Sequence, residues 1–438
     1  MLATIIPHEL SGSIRSVASK SEAHRSFICA AFADGITDIT CHTASKDIDA
    51  TIACLETLGA HFAKTKKGYR VSPIKKPKRV LFNLRRFDLN CGESASTLRF
   101  LLPLVCALGR KVELHVEGTL ACRPLTPFYE ELVSHGARLS PEGSDPLLVS
   151  GQIKGGRFVL PGNISSQFVS GLLMAAPLME QDLEVLVTEP VESAPYIDLT
   201  CSVLAKFGVG VEKTHVTEND TEYLRFYVSD NVRYQTPGLL EVEGDWSNAA
   251  FWLTAGALGS GVEVTDLNMQ SKQGDRTILA ALSLIGARVS RHGSTAAAMY
   301  DHLRAIQLNV ADTPDLVPPL AIVAAFAEGT SKFSGVQRLR LKESNRLQSI
   351  TAAISALGGR AYIEGDDILV IEGHGSLDGG SVDGESDHRI VMMASVAASF
   401  ANNPTTITHA EAIAKSYPTF FEDFRALDGK AELTNTTE

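Results

Sequence analysis

Six stretches of helical character in this chain end at a glycine, and the glycines recur at a nearly constant interval. Each stretch carries leucines and other apolar residues three or four positions apart, which is typical of an amphipathic helix with a left-handed C-terminal cap. Neighbouring glycines lie 71 to 78 residues apart in a chain of 438 residues: Gly59, Gly136, Gly208, Gly286, Gly358 and, in a looser copy, Gly429. This period exceeds the roughly 20–50 residues of a solenoid repeat. It predicts six copies of one α/β subunit grouped into domains, although helix caps that recur without a repeat are an alternative.

A short run of residues that favour β structure follows each of the first five glycines, at residues 61–62, 138–139, 209–211, 288–289 and 362–363. These runs predict a strand after the capped helix of each subunit. The segment 234–243, with Pro237 and Gly238, lies near the midpoint between the third and fourth glycines. It is therefore predicted to be the crossing between two domains of three subunits each.

Composition argues against several classes of protein. The chain is 44% apolar, and no apolar run approaches the roughly 18 residues of a membrane span. A net charge of −11 argues against nonspecific binding of nucleic acid. The start, MLATIIPHELSG, resembles neither a secretory signal nor a transit peptide. The seven cysteines are odd in number and form no C-x-x-C pair, which favours reduced thiols and a cytoplasmic location. No histidine cluster has the spacing of metal ligands, so no metal is predicted.

Two segments are predicted to lie at the surface. Residues 64–86 hold ten lysines and arginines with Pro73 and Pro77 among them, which is typical of a solvated loop and an edge strand. Residues 432–438 are expected to be a frayed terminus.

Four clusters of basic and hydroxyl side chains occur at predicted helix starts, at residues 19–25, 161–168, 342–347 and 387–390. The first two are expected to precede apolar helices over residues 26–33 and 169–179. Backbone N–H groups, hydroxyls and a positive charge at a helix N-terminus suit an anion. Each cluster alone also fits an ordinary helix cap. Four together predict a site for more than one anion.

Eight motifs run through the chain between about residue 12 and residue 425: SKSEAHR, CGESASTLRF, PGNISSQF, ESAPYIDLT, TPDLVPPLA, KESNRL, DHRIVM and IAKSYPTFF. In this order they resemble the 5-enolpyruvylshikimate-3-phosphate (EPSP) synthase family. The resemblance implies an α/β fold, the two-domain inside-out α/β barrel of the enolpyruvyl transferases. Each domain is expected to hold three βαβαββ units, with helix N-termini facing an interdomain cleft that closes on substrate. One domain is expected at residues 1–18 plus 239–438 and the other at 19–238, with a two-strand hinge near 17–20 and 235–240.

The resemblance implies transfer of the enolpyruvyl group of phosphoenolpyruvate to the 5-hydroxyl of shikimate 3-phosphate, with release of phosphate. Two phosphorylated carboxylates in one pocket need arginine and lysine charges to offset their mutual repulsion. By family match, the residues that hold shikimate 3-phosphate are Lys20, Ser21, Arg25, Ser165, Ser166, Gln167, Ser193, Tyr196, Asp315 and Lys342. Those that bind phosphoenolpyruvate are Lys20, Ala95, Arg123, Gln167, Arg346, Arg389 and Lys415. No cofactor, metal, nucleic-acid or membrane partner is implied, and a monomer is expected.

The implied reaction passes through a tetrahedral intermediate, so it needs a base for the hydroxyl and an acid for the methylene carbon. Asp315 matches the family's proton acceptor, although an aspartate ahead of an apolar helix also suits the helix dipole alone. Glu343 matches the acid, and the neighbouring Lys342 can steer protons, with Lys20 as a further catalytic candidate. His388 is expected to be a hydrogen-bonding neighbour of the leaving phosphate.

Three positions depart from the family pattern. The loop that carries an extra phosphoenolpyruvate-binding arginine is shortened to residues 118–124, so Arg123 is either that ligand or a structural arginine. Arg338 stands where the family has an asparagine that touches shikimate 3-phosphate, which leaves its role open. Ala95 replaces a glycine beside phosphoenolpyruvate. Its methyl group is expected to intrude on the longer inhibitor glyphosate, which would then inhibit weakly.

Two other functions share parts of this pattern. The sister enzyme UDP-N-acetylglucosamine enolpyruvyl transferase has the same fold and donor, and Cys122 echoes its reactive-cysteine loop. Position alone does not make a cysteine reactive, and the Ser-Ser-Gln and Ser-Lys-Ser motifs fit a small phosphorylated acceptor rather than a nucleotide sugar. A noncatalytic anion-binding module of this fold would lack Asp315 or Glu343, and both are present.

Overall fold

The structure is a computed structural model that describes residues 1–75 and 86–435. The chain divides into two compact units. The central unit is Lys20–Val242, and the terminal unit joins Met1–Ser19 to the chain from Glu243 onward. The first crossing falls within the predicted stretch 17–20. The second crossing follows Val242, a few residues after the hinge predicted near 235–240 and the domain boundary predicted at 239.

The central unit contains α-helices and short strands in regular alternation. Its elements are α1 (Lys20–Ala31), β3 (Thr37–Thr40), α2 (Lys46–Thr57), β4 (His61–Lys64), β5 (Gly68–Ser72), β6 (Arg86–Asn90), α3 (Ala95–Ala107), β7 (Lys111–His115), α4 (Phe128–Ser134), β8 (Ala137–Leu139), β9 (Leu147–Gly151), β10 (Gly156–Pro161), α5 (Ser166–Ala175), β11 (Leu183–Thr188), α6 (Ala194–Lys206), β12 (Glu212–Glu218), β13 (Thr221–Val228) and β14 (Leu239–Glu241).

The terminal unit alternates in the same way. Its elements are β1 (Leu2–Ile6), β2 (Gly12–Arg15), α7 (Trp246–Leu258), β15 (Val262–Thr265), α8 (Ile278–Ile285), β16 (Arg288–His292), β17 (Thr295–Met299), β18 (Gln307–Asn309), α9 (Val317–Phe326), β19 (Gly329–Ser334), α10 (Arg346–Ala356), β20 (Arg360–Glu364), β21 (Ile368–Gly373), β22 (Ser381–Val382), α11 (His388–Ser399), β23 (Thr405–Ile407), α12 (Phe420–Ala426) and β24 (Lys430–Thr434).

The described strands form six sheets of four strands each, three in each unit. In every sheet one pair of neighbours is parallel and the other two pairs are antiparallel, as in the order β10-β11-β13-β12. The other orders are β14-β3-β5-β4, β6-β7-β9-β8, β16-β17-β15-β2, β18-β19-β21-β20 and β22-β23-β1-β24. Each sheet and its two helices make one βαβαββ repeat, so the prediction of six α/β subunits is confirmed.

Three of the repeats are completed by a strand from a distant part of the chain. β14 pairs in parallel with β3 and so supplies the leading strand of the repeat that contains α1 and α2. β2 does the same for the repeat of α7 and α8, by pairing with β15. β1 lies between β23 and β24 and closes the last repeat. Because β14 completes a sheet of the central unit, the chain leaves that unit only after Val242.

The second helix of each repeat ends at the kind of cap that the sequence predicted. Gly59, Gly136, Gly208, Gly286 and Gly358 all have positive φ angles, between 75° and 113°. In the sixth repeat the left-handed residue is Asp428, with φ 66°, so the cap predicted at Gly429 was misplaced by one residue. Aspartate tolerates this conformation because its short polar side chain can hydrogen-bond locally. The predicted strand runs are also confirmed, except that the third strand begins at Glu212, after residues 209–211.

The first helix of each repeat is largely buried. Three of the four predicted anion clusters lie at the starts of such helices, α1, α5 and α11, and the fourth, residues 342–347, lies at the start of α10, the second helix of its repeat. Nearly all residues of α5, α7, α9 and α11 are buried, as expected of helices that are apolar on every side. Two predicted starts were too late. α1 begins at Lys20, so its cluster forms the first turns of the helix, and α5 begins at Ser166. In both cases polar residues extend the helix because they cap and fill its first turn.

The surface predictions were partly wrong. Residues 68–72 of the basic stretch form β5, which lies inside its sheet between β3 and β4, and residues 76–85 lie outside the described part of the chain. The expected fraying from residue 432 is contradicted by β24, which pairs with β1 as far as Thr434; residues 436–438 are not described. No helix within residues 1–75 and 86–435 has the length and hydropathy that a membrane crossing requires.

Candidate active site

Lys20 is the first residue of α1, and its ammonium group pairs with a carboxylate on α2. Nζ of Lys20 lies 2.8 Å from Oδ2 of Asp47. The two side chains are only 18% and 12% exposed, so solvent screens their attraction less than it screens a surface ion pair. An anion that binds Lys20 therefore competes with Asp47 for the ammonium group.

Arg25 joins α1 to α6. Its Nε donates a hydrogen bond to Oγ1 of Thr200 at 2.7 Å, and its two terminal nitrogens donate to the backbone carbonyls of Ser21 (2.6 Å) and Tyr196 (3.2 Å). The guanidinium group also lies 4.8 Å from the ring centroid of Phe100. Burial lowers the pKa of Arg25 to about 10. The structure thus brings together three predicted ligands, Ser21, Arg25 and Tyr196. The hydrogen bonds of Arg25 hold the backbone at Ser21 and Tyr196.

The start of α5 carries three more predicted ligands. Ser165 is the N-cap, and its Oγ accepts a hydrogen bond from the backbone N–H of Gln167 at 3.3 Å. Ser166 is the first helical residue, and both serines are buried. The first N–H groups of a helix have no partner within the helix, so this turn can donate hydrogen bonds to an anion.

The side chain of Gln167 is held by two residues of α3. Its Oε1 accepts a hydrogen bond from Arg99 at 2.9 Å, and its Nε2 donates to Oγ of Ser96 at 3.0 Å. Arg99 also donates to the backbone carbonyl of Pro124 at 3.3 Å. Ala95, the first residue of α3, lies four positions before Arg99 and so shares its face of the helix. Arg99 therefore connects Gln167 with the start of α3.

Two predicted ligands of the central unit lie at backbone turns. Ser193 is buried and precedes α6 with a left-handed φ of 56°, a conformation that few serines adopt. Arg123 follows a 3-10 helix, Gly118–Cys122, and donates its backbone N–H to the carbonyl of Leu120 at 3.1 Å. Cys122, the residue that echoes the sister enzyme, is exposed.

Asp315 lies at the centre of a group of cations in the terminal unit. Its Oδ1 accepts hydrogen bonds from Arg346 at 3.0 Å and Lys342 at 3.4 Å, and its Oδ2 accepts one from Arg389 at 3.1 Å. Burial raises the pKa of Asp315, but the charges of Arg389, Lys342 and Arg346 outweigh burial and hold the pKa well below its usual range. Asp315 belongs to a 3-10 turn, Pro314–Leu316, directly before the buried helix α9. The carboxylate is therefore ionised at neutral pH.

Arg346 is shared among three carboxylates. Besides Asp315, it contacts both oxygens of Asp387, at 2.9 Å from Nε and 3.2 Å from a terminal nitrogen, and it donates to Oε2 of Glu343. Arg346 is 1% exposed. Burial lowers its pKa, but the charges of Asp387, Glu343 and Asp315 outweigh burial and raise it. The six residues of this carboxylate–arginine network carry three formal charges of each sign: Asp315, Lys342, Glu343, Arg346, Asp387 and Arg389.

Three further residues flank the network. Nζ of Lys415 donates to the backbone carbonyl of Ser386 at 2.8 Å. His388 is the buried first residue of α11, and its Nδ1 lies 3.9 Å from Oδ1 of Asp387. Burial lowers the pKa of Lys342, although the charge of Asp315 opposes this effect. Arg338 lies near enough to Lys342 that its positive charge lowers this pKa further.

The two units offer different chemistry. The central unit supplies hydroxyls, amide groups and cations at helix starts, which suits the binding of anions. The terminal unit adds carboxylates that can accept or donate a proton. Within residues 1–75 and 86–435, no three side chains of His, Cys, Asp or Glu come together as metal ligands would.

The sequence motifs gave no role to three residues that hold predicted ligands in place. Asp387 lies inside a recognised motif, and its position before an apolar helix marked it only as a cap. Arg99 lies four residues after Ala95, and that spacing on a helix is the one signal that could have identified it. Asp47 has no local signal, because its partner Lys20 lies 27 residues away in the chain.

Comparisons with known proteins agree with these motifs. Residues 5–424 match the family model described as EPSP synthase (3-phosphoshikimate 1-carboxyvinyltransferase). A 3-phosphoshikimate 1-carboxyvinyltransferase of Clostridium kluyveri is 37% identical over 435 residues, which is 98% of each chain. One of Clostridium acetobutylicum is 38% identical over 97% of each chain. An EPSP synthase structure from Acinetobacter baumannii is 25% identical and matches with a TM-score of 0.78, over 99% of this chain and 100% of its own. The enolpyruvyl transferase NikO of Streptomyces tendae shares the fold, with a TM-score of 0.75 at 16% identity over 100% of this chain and 99% of its own.

Proposed function

Because the chain belongs to the EPSP synthase family, the 3-phosphoshikimate 1-carboxyvinyltransferases, we propose how its residues divide the work of the family's reaction. The enzyme transfers the enolpyruvyl group of phosphoenolpyruvate to the 5-hydroxyl of shikimate 3-phosphate and releases phosphate. This is a step of the shikimate pathway, which leads to chorismate and the aromatic amino acids. The single observation that carries the assignment of roles is the set of hydrogen bonds from three cations to Asp315.

Asp315 accepts the proton of the 5-hydroxyl. A carboxylate held by three cations is a very weak base, because the cations favour its ionised form. The phosphate and carboxylate groups of the substrates offset the charges of Lys342, Arg346 and Arg389 when they bind. The proton affinity of Asp315 then rises toward the range that suits a general base. The substrates themselves thus make Asp315 basic, and only when they are in place.

Glu343 donates the proton to the methylene carbon, the neighbouring Lys342 steers protons, and Lys20 is a further catalytic residue. Glu343 shares Arg346 with Asp315 and Asp387. When Arg346 turns to phosphoenolpyruvate, Glu343 loses part of its counter-charge and holds a proton more readily. Arg346 therefore couples the binding of phosphoenolpyruvate to the proton affinity of Glu343.

The substrates are held by the hydroxyls and cations at the helix starts. Phosphoenolpyruvate contacts Lys20, Ala95, Arg123, Gln167, Arg346, Arg389 and Lys415, and shikimate 3-phosphate contacts Lys20, Ser21, Arg25, Ser165, Ser166, Gln167, Ser193, Tyr196, Asp315 and Lys342. The support is that several of these groups cap or begin helices, whose N–H groups add to the attraction of an anion: Lys20, Ser165, Ser166, Ser193 and Arg346. Gln167, fixed at both ends of its amide, touches both ligands. His388 is a neighbour of the leaving phosphate.

Single-turnover kinetics test the roles of Asp315 and Glu343. Asp315→Asn keeps the size of the side chain and removes the base, so we expect the chemical step to slow by about 10²–10⁴-fold with little loss of substrate binding. Glu343→Gln should slow it comparably. Asp266→Asn, at an exposed aspartate paired with Arg15, is the matched control and should keep wild-type turnover. Phosphate release near the wild-type rate in Asp315→Asn would show that another group is the base.

Three finer properties belong to the same proposal. The enzyme acts as a monomer, and glyphosate inhibits it weakly because the methyl group of Ala95, at the start of α3, narrows the far end of the donor site. It works in the cytoplasm, which is supported by seven cysteines that form no disulfide.

A further inference from the structure

A second aspartate of the terminal unit is buried within reach of the charge of Asp315. Asp275 lies in a 3-10 turn, Gly274–Thr277, and is 1% exposed. Its Oδ2 accepts a hydrogen bond from Oγ of Ser247, in the first turn of α7. Both this turn and the turn of Asp315, Pro314–Leu316, pack against α7. The two carboxyl groups thus belong to two 3-10 turns that both pack against α7.

The electrostatic surroundings of Asp275 are set by groups from three other elements. Burial raises the pKa of Asp275, and repulsion from Asp315 adds to it, so that the pKa reaches about 6. The repulsion raises the pKa of Asp275 because three cations already hold Asp315 in its ionised form. The groups that face Asp275 are Asp315, Arg389 of α11, and Asp245 and Ser247 at the start of α7. On its own turn, Arg276 donates to the backbone carbonyl of Met269.

We propose that Asp275 is a positioning residue for the base: its buried negative charge, supported by the hydroxyl of Ser247, increases the proton affinity of Asp315 during the reaction. The inference rests on the proposed role of Asp315. Substrate anions offset the three cations around Asp315, and a fixed carboxylate offsets them further, because a like charge favours the protonated form of its neighbour. The proton of the 5-hydroxyl moves to Asp315, while Asp275 keeps its charge. As the pH falls, Asp275 takes up a proton and Asp315 becomes a weaker base.

The pH dependence of kcat tests this role. We expect the wild-type kcat to fall as the pH drops through about 6, where Asp275 is protonated. Asp275→Asn removes the titrating group, so it should abolish that fall and lower kcat by about three- to tenfold in mildly alkaline buffer, with both KM values unchanged. Ser247→Ala removes a hydrogen bond that favours ionised Asp275. It should move the fall in kcat to higher pH.

The controls separate this role from a structural one. Asp266→Asn should keep the wild-type profile. Thermal unfolding at neutral pH should occur no lower in Asp275→Asn than in wild type, because a desolvated carboxylate is removed. If Asp275→Asn keeps the wild-type fall in kcat, or loses activity equally at every pH, the proposal is overturned. If Asp275→Asn does not fold, Ser247→Ala decides. A fall in kcat that moves to higher pH supports the proposal, and one that does not overturns it.

The same measurements separate a failure of Asp315 as the base from a failure of Asp275 as its positioning residue. Wild-type turnover in Asp315→Asn would refute the proposed base and this inference with it. An inactive Asp315→Asn together with a wild-type profile in Asp275→Asn would refute only the inference.

Discussion

Asp387→Asn should destabilise the terminal unit far more than the loss of one hydrogen bond would. Asp387 is 0% exposed and is the N-cap of α11, where its Oδ1 accepts the backbone N–H of Arg389 at 2.9 Å. Its carboxylate also takes two hydrogen bonds from the buried Arg346 and one, at 3.1 Å, from Oγ of Ser344. The amide of asparagine keeps the shape of the side chain but removes the charge and directs two N–H donors toward groups that are donors themselves.

The size of the effect follows from these contacts. Asparagine caps helices about as well as aspartate, so the cap itself contributes little to the loss. Breaking a buried ion pair by neutralising one partner costs about 3–5 kcal/mol. Asp315 and Glu343 still pair with Arg346 in the variant, so we expect the lower limit, about 3 kcal/mol. For a unit of this size, each kcal/mol lowers the unfolding temperature by roughly 2–4 °C, which predicts a decrease of about 6–12 °C.

Differential scanning calorimetry can assign this loss to the terminal unit. Ser344→Ala is the control, because it removes one hydrogen bond to Asp387 and leaves its charge, at a cost of about 1–2 kcal/mol. Burial raises the pKa of Asp387, but Arg346 outweighs it and lowers the pKa below the usual value. The stabilisation is therefore present above the ordinary pKa of aspartate and is lost only as the pH falls through the lowered value. A decrease no larger than that of Ser344→Ala would refute the idea that the carboxylate holds Arg346.

The remaining predictions concern the donor site and Cys122. Ala95→Gly should sensitise the enzyme to glyphosate by about ten- to a hundredfold while leaving the KM for phosphoenolpyruvate equal or lower, because overpacking costs about 1–3 kcal/mol for the longer ligand. Equal inhibition constants across phosphoenolpyruvate concentrations would mean that the backbone has absorbed the methyl group. Cys122→Ser should keep wild-type phosphate release, since the proposed roles use no thiol. An inactive variant would favour the chemistry of the sister transferase.

The repeat was predictable because helix caps are a local property. A glycine with positive φ ends a helix at low steric cost wherever it occurs, so five of the six repeats could be read from Gly59, Gly136, Gly208, Gly286 and Gly358. The sixth cap was misplaced because aspartate can also adopt the left-handed conformation, as Asp428 does. The crossing after Val242 could not be found in this way. Nothing in the sequence of β14 indicates which sheet it joins, since that depends on its pairing with β3, some two hundred residues earlier.

The hydroxyls and cations of the candidate site could be predicted from the sequence, but the carboxylates that pair with the cations could not. Hydroxyls and cations at a helix start can be recognised locally, and the family motifs named most of them. Their counter-charges come from far along the chain: Arg346 and Asp387 are 41 residues apart, and Arg389 and Asp315 are 74 apart. No periodicity or spacing encodes such a pair, because the fold alone brings the two side chains together.

These partners explain how a protein of net charge −11 can prepare cations for anionic substrates. A buried cation without a counter-charge would cost several kcal/mol, and Lys20, Lys342, Arg346 and Arg389 each have a carboxylate within reach. Asp47 pairs with Lys20, while Asp315, Glu343 and Asp387 divide Arg346 and its neighbours among them. Substrate binding then exchanges one set of anions for another, so the affinity reflects only the difference between them. The carboxylates released in that exchange include the proposed base and acid, which become able to move protons only when the substrates have taken their cations.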